Sequence, residues 1–290
     1  MSNIELDPPH KLSTFRRLSL GTWRSARDPS VYGSLTLRMD DALAYIEAFR
    51  SATGRHLTVT HLMARAAGAV FERVPDANVL LRRGRPYHRR EIGVFFQIAM
   101  TDPATGKLDL SGATIHEPQR KSLAEIYDEL DAKFAAVRDD RDRDLASVRR
   151  LIGRLPVRAI GAVLDATSFL SYTLNLDLRW AGVPHDAFGS IMITNVGSLG
   201  LEEAYVPLVP YSRVPLLLAL GAIREVPVVH DGKIATEHVM KVCATFDHRI
   251  LDGTHAAVMA KTLREWIEDP FAHFDPIERP AARDVQLHRA

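Results

Sequence analysis

The sequence predicts an α/β domain, and three stretches carry that prediction. Met240, Val242, Ala244 and Phe246 alternate as the buried side of a strand does, and Ala256, Ala257, Met259, Ala260, Leu263, Trp266 and Ile267 then recur at helical spacing. Leu35, Leu37 and Met39 alternate in the same way. They stand before Asp40 and Asp41, two good N-cap residues for a helix carrying Leu43, Ile46, Ala48 and Phe49. Ile92-Gly-Val-Phe-Phe-Gln-Ile-Ala99 is almost continuously apolar, the pattern of a strand buried on both faces. Strands giving way to helices, without a repeat or a flexible linker, imply one α/β domain.

The totals set limits on function. With 290 residues, 46% of them hydrophobic, the chain can bury a large core. A net charge of +1, from 37 basic and 36 acidic residues, offers no bulk electrostatic case for nucleic acid. The single cysteine, Cys243, excludes an internal disulfide framework and a cysteine-based metal cluster, and reads as core packing. No metal site is expected. The start lacks the basic-then-apolar layout of a signal peptide, and no uncharged apolar run approaches the ~20 residues that span a bilayer. A soluble, cytoplasmic protein is the expectation.

Taken in order, residues 1–13 are polar and contain proline, as a flexible arm would. A second helix is expected from Thr60 to Arg73, stopping at Pro75. Arg82-Arg83-Gly84-Arg85-Pro86 reads as a basic turn, and Asp102 to Gly106 as another. Ser122 and Glu125 form a capping box ahead of a stripe of Leu123, Ile126, Tyr127, Leu130, Phe134 and Val137. Arg149 to His185 is strongly apolar and broken by Pro156, which fits one or two amphipathic helices. It could cover the core, form a subunit contact or lie on a membrane surface, with membrane contact the least expected. Leu216–Ile223 and Lys233–Phe246 supply late strands with a hairpin-like turn at His230-Asp231-Gly232 between them. The last helix ends at Asp269-Pro270, and residues 271–290 form a polar tail.

Two places hold candidate chemistry. His248 falls where a strand yields to a turn, so an imidazole there can be held rigidly and still face a cleft. Imidazole is well suited to moving protons near neutral pH. His248 with Asp252 four residues on, taken alone, also fits a buried histidine bonded to a carboxylate. The apolar run ending at Thr194-Asn195, with Gly197 and Gly200 after it, is a strand entering a glycine-bent loop. A hydroxyl there could donate to a developing oxyanion, or simply bond locally.

The string Asp247-His248-Arg249-Ile250-Leu251-Asp252-Gly253 resembles the signature of the catalytic domain of 2-oxoacid dehydrogenase acyltransferases (dihydrolipoamide acyltransferases), within the chloramphenicol acetyltransferase-like superfamily. Ile193-Thr194-Asn195-Val196-Gly197 is similar to that family's Ile-Ser-Asn-Leu-Gly loop. Lys121 to Ile126, Val74 to Asn78 and Leu218 to Ile223 resemble further family segments in the same order. The likeness covers most of residues 14–270, the expected catalytic domain.

The resemblance implies a two-layer sandwich, a mixed sheet with helices packed on it, assembling as a homotrimer with active sites between subunits. By that likeness His248 is the general base on a thiol, and Thr194 of the adjacent subunit donates to the oxyanion. Asp252 orients the loop through an ion pair with an N-terminal arginine, Arg17 or its rival Arg16. Coenzyme A is the expected substrate. The lipoyl group would sit on a separate carrier protein, because no lipoyl domain is recognisable before residue 14. The apolar 149–185 stretch is longer than the family's corresponding connection. The intact set points to a coenzyme A-dependent acyltransferase acting on a dihydrolipoyl thiol. A non-catalytic trimeric scaffold subunit, or an acyltransferase for a small-molecule acceptor, are the alternatives.

Overall fold

The structure, a computed structural model, describes residues 2–7, 29–101, 108–138, 157–230 and 232–279. The strands among the described residues are β1 (Ser30–Arg38), β2 (Val79–Arg82), β3 (Arg85–His88), β4 (Gly93–Thr101), β5 (Leu108–His116), β6 (Ile191–Asn195), β7 (Leu216–Leu220), β8 (Arg224–His230) and β9 (Lys233–Asp247). The helices among the described residues are α1 (Asp40–Thr53), α2 (Val59–Arg73), α3 (Leu123–Arg138), α4 (Val157–Ser168), α5 (Gly253–Glu268) and the short α6 (Pro270–His273).

Seven strands form one mixed sheet in the order β1-β9-β7-β6-β4-β5, with β8 paired to β9. The β4–β6 and β6–β7 pairs are parallel and the others antiparallel. The predicted α/β class and two-layer arrangement are what the structure has. Alternation assigns the faces: Phe96, Ile193, Leu218 and Val242 join the helices α1, α2, α3 and α5 in one core cluster. The opposite face carries Phe95, Met192 and Leu217, covered by Phe188, Val206, Leu208 and Val209 from irregular chain. Strand β7 lies between two neighbours and under both layers, so all five of its residues are buried.

Local chemistry sets the element ends. Gly54 closes α1 in the left-handed conformation at φ 69°, with its N–H on the Arg50 carbonyl. Asp40 and Asp41 occupy the first turn of α1 rather than the cap, which is Met39, so they act through the helix dipole. Ser122 and Glu125 make the expected reciprocal cap of α3, with Glu125 Oε2 accepting from Ser122 N and Oγ at 2.8 Å. The basic turn is the two-residue Arg83-Gly84 loop of a β2–β3 hairpin, with φ of 51° and 73° as a type I′ turn requires. The late turn differs from expectation: it joins β9 to β8, a strand not foreseen, and not to β7. Asp231 and residues 102–107 lie outside the described residues.

Residues 2–7 are tied into the fold, where a flexible arm was expected over residues 1–13. Asn175 Nδ2 donates to the Ile4 carbonyl at 2.7 Å, its Oδ1 accepts from Ile4 N at 2.8 Å, and Ile4 packs with Leu80 and Tyr172. The head of the expected polar tail is likewise built in. Phe274 is buried, Phe271 and Ile277 pack on the core, and Asp275 caps α3 by accepting from Leu123 N at 2.7 Å. The described part of the apolar 149–185 stretch is α4, a π-turn at Phe169–Thr173 and irregular chain. Its Ser171, Tyr172 and Thr173 are buried, whereas Phe169, Leu170, Leu176 and Trp180 face outward, Trp180 at 84% exposure. It therefore covers part of the core and leaves an apolar outer face.

Beneath this stretch Arg89 and Asp186 form an ion pair with side-chain exposures of 1% and 7%. Desolvation makes such a pair a weak stabiliser in sum, but leaving one member alone is expensive. Arg89→Met is expected to lower the unfolding free energy by about 3–5 kcal/mol, and Arg89→Met with Asp186→Leu to recover much of it. Urea denaturation of the three proteins checks this, and equal loss in the single and double variants would refute it.

Candidate active site

Strand β9 delivers His248 by ending at Asp247, one residue short of it. Asp247, buried, turns the chain on itself with its carboxylate: Oδ1 accepts from Arg249 N at 2.9 Å and Oδ2 from Arg249 Nη2 at 2.6 Å. The Asp247 carbonyl accepts from Ile250 N and Leu251 N, both at 2.9 Å, and His248 N donates to the Pro29 carbonyl at 2.9 Å. The turn is thus bolted to the start of β1. His248, half-buried, places Nδ1 at 2.8 Å from the Leu251 carbonyl. A carbonyl can only accept, so Nδ1 is the nitrogen that carries a proton toward Leu251.

Asp252 is the N-cap of α5. Its carboxylate accepts from Thr254 N at 3.1 Å, Thr254 Oγ1 at 2.6 Å and His255 N at 3.2 Å, and His255 Nδ1 lies 2.6 Å away. Burial by itself would raise the Asp252 carboxyl. The hydrogen bonds from Thr254 and His255 outweigh it and hold the group well below the usual carboxylate range. His255 was not singled out from the sequence, although an N-cap Asp with a polar residue three positions on is a readable signal. Arg17 and Arg16 lie outside the described residues, so the expected pairing with Asp252 has no described geometry.

Asp252→Ala is expected to cost about 0.5–2 kcal/mol through the lost cap. The sign with pH follows from the depressed carboxyl. Its contribution is full above the unfolded value near ~4 and is lost as pH falls towards the lower folded value. Thermal melts should therefore show the variant and parent converging in acid; a gap that stays constant or widens there would overturn the assignment.

Thr194 occupies a different part of the sheet. It is half-buried on β6, and the register aligns it with Gln97 on β4 and Ala219 on β7, which in turn aligns with Cys243 on β9. Because Ile193 joins the helix-side core, Thr194 projects from the opposite face. The loop after it is fixed by backbone contact. A Cβ on Gly197 would sit 2.5 Å from the Gly221 oxygen, and one on Gly221 2.0 Å from the Glu202 oxygen. Asn195 Oδ1 accepts from Ser198 N at 3.1 Å, closing the turn.

Within one chain the two candidate groups do not meet. From Cys243, level with Thr194, to His248 is five residues along β9 at ~3.3 Å each, and β6 is two strands from β9 at ~4.8 Å each. That leaves roughly 15–20 Å between them.

The fold has solved counterparts. It superimposes on a probable dihydrolipoamide acetyltransferase of Listeria monocytogenes with a TM-score of 0.62 at 16% identity, covering 94% of this chain and 98% of that one. It also matches a truncated catalytic core of the 2-oxoacid dehydrogenase multienzyme complex of Thermoplasma acidophilum, with a TM-score of 0.57 at 19% identity over 91% and 99% of the chains.

Within that fold, residues 185–274, which carry Thr194, His248 and Asp252, match the family model described as 2-oxoacid dehydrogenases acyltransferase (catalytic domain). A curated relative is the dihydrolipoyllysine-residue succinyltransferase component of the 2-oxoglutarate dehydrogenase complex of Saccharomyces cerevisiae. It is 37% identical over 82 residues, 28% of this chain and 17% of that protein. The corresponding Bartonella vinsonii component is 30% identical over 135 residues, 46% of this chain and 28% of that protein. This chain thus spans a minor part of the length of these relatives. The resemblance carried by the motifs is the one these comparisons return. No helix among the described residues is long and apolar enough to cross a membrane.

Proposed function

We propose that this chain is a coenzyme A-dependent acyltransferase that moves an acyl group between coenzyme A and a dihydrolipoyl thiol on a separate carrier protein. The observation that carries the reading is the Nδ1 bond of His248 to the Leu251 carbonyl, which fixes the ring in the orientation a general base acting through Nε2 requires. A thiol with a pKa near ~8.5 is mostly protonated at neutral pH. Nε2 removes that proton as sulfur attacks the thioester carbonyl. The carbonyl electrons move onto oxygen, where the Thr194 hydroxyl donates a hydrogen bond. Collapse re-forms the carbonyl and breaks the bond to the coenzyme A sulfur, which takes the proton back from the imidazolium.

The roughly 15–20 Å between Thr194 and His248 in one chain gives this mechanism a structural requirement. The donor must come from another copy, so a working enzyme is an oligomer with its site between subunits, and a trimer is the smallest ring that fits the family likeness. Asp252, through its cap on α5 and a further pairing with Arg17, holds the His248 loop. The compartment fitting these partners is the cytoplasm. The test is release of free thiol from a panel of acyl-CoAs with dihydrolipoamide as acceptor. Turnover supports the reading, and its absence with every acyl group and acceptor, in an assembled protein, sinks it.

A further inference from the structure

Two sparsely populated backbone conformations meet at one side chain, close to the turn that presents His248. Arg213 ends the 3₁₀ turn Pro210–Ser212 at φ 54° and ψ 23°, left-handed geometry that glycine or asparagine takes more readily than arginine. The π-turn Phe169–Thr173 continues α4, a form that is rare in proteins and frequent at functional sites. Backbone of either kind persists only where its surroundings hold it.

The Arg213 guanidinium joins the two. Its Nε donates at 3.0 Å to Oγ of Ser168, the last residue of α4, and its Nη1 donates at 3.4 Å to the Leu81 carbonyl on β2. Its Cζ lies 6.0 Å from the ring centroid of Tyr172, which is buried in the π-turn. These partners are all neutral. Burial holds the pKa of Arg213 below the ordinary arginine value, Tyr172 partly offsets this, and the cation of Arg249 in the His248 turn adds to it. A half-buried guanidinium beside another cation, on an unfavourable backbone, is a costly way to fill space. What it supplies is a forked donor that ties α4 and β2 together over the π-turn.

The joint leads directly to the proposed base. Ser212, fully buried, donates from Oγ to the Val209 carbonyl at 2.7 Å and accepts there from Val214 N at 3.3 Å, so the backbone on either side of Arg213 is fixed. Two residues past Arg213, the Pro215 carbonyl accepts from Asp247 N at 2.9 Å, and β7 begins at Leu216 opposite Phe246. Asp247 is the residue whose carboxylate folds the His248 turn. We infer that Arg213 is a positioning residue: by clamping the start of β7 to α4 and the π-turn, it fixes the end of β9 and with it the place of the His248 imidazole. The 157–174 segment thereby acts on the base through this one side chain. The inference rests on the acyl-transfer reading of His248.

The test follows thiol release by the wild type, Arg213→Gly, Ser168→Ala and the double variant. Glycine adopts φ 54° without strain, so Arg213→Gly should stay folded and melt within about 4 °C of the wild type. Its kcat should fall by about 10²-fold with KM for acyl-CoA within a few-fold, as for a displaced catalytic group and not for weakened binding. Millimolar guanidinium ion should raise the rate of this variant severalfold and leave the wild type unchanged, because it refills the joint. Ser168→Ala should lower kcat in the same direction, and the double variant should be no slower than Arg213→Gly, since both remove one contact. A folded Arg213→Gly that turns over at the wild-type rate overturns the inference and leaves acyl transfer standing. Losses that multiply in the double variant overturn it as well. So does a loss that guanidinium ion does not relieve and in which KM rises in step, because that marks a purely structural residue. If Arg213→Gly fails to fold, Ser168→Ala decides, and a wild-type kcat there overturns the inference. No turnover by the wild type with any donor and acceptor overturns the acyl-transfer reading and this assignment with it.

Discussion

His248→Asn should lower kcat by about 10²–10⁴-fold while leaving KM for acyl-CoA within a few-fold, because a positioned general base contributes that much to the chemical step alone. Asparagine is the informative replacement. Its side-chain amide can still donate to the Leu251 carbonyl, so the turn held by the Asp247–Arg249 bonds and the Pro29 carbonyl stays in place. What disappears is the Nε2 lone pair. The measurement is steady-state thiol release across pH, with circular dichroism to establish that the fold is intact. The residual rate of the variant should rise towards alkaline pH, as hydroxide and free thiolate take over what the base had done. Retention of activity within tenfold would show that His248 is a structural histidine, and would move the base elsewhere.

The candidate loop was legible in the sequence because its residues are contiguous. Residues 247–253 hold the end of a strand, the turn carboxylate, the proposed base, the carbonyl that orients its ring and the helix cap. Thr194 was legible as a strand end, yet its distance from His248 was not, since that follows from β7 lying between β6 and β9. No local pattern encodes sheet order. Strand β8 went unread because Pro227 and Glu225 interrupt it, and proline argues against a strand unless it lies at an edge. That is where Pro227 stands, paired with Thr236 on the outer half of β9. The tied residues 2–7 were hidden for another reason. Their bonds run to Asn175 and Ser171, some 170 positions away, and a short polar segment gives no periodicity to find. The Arg89–Asp186 pair, separated by 97 positions, is invisible for the same reason.

Activity should reappear when two inactive variants are mixed. Thr194→Val removes the hydroxyl while keeping the shape of a β-branched strand residue, and is expected to cost about 10²–10³-fold in kcat as the loss of one oxyanion donor. His248→Asn is inactive for the reason given above. With the two groups roughly 15–20 Å apart in one chain, every site must draw its base from one copy and its donor from the next. In trimers assembled at random from equal amounts of the two variants, a site needs His248 from a Thr194→Val subunit and Thr194 from a His248→Asn subunit. Each condition is met about half the time, so about a quarter of the sites are complete. Co-expression with two different tags, isolation of doubly tagged oligomers and the thiol-release assay give the measurement, with separately purified variants as the baseline. Double-tag isolation removes the homotrimers, and each mixed trimer holds one complete site of three, so a rise from below one per cent of wild type to about a third is the expected result. Recovery absent from oligomers proven to be mixed would mean that base and donor do not act across a subunit boundary. Thr194 would then lose its role, because the register leaves it no way to reach His248 within its own chain.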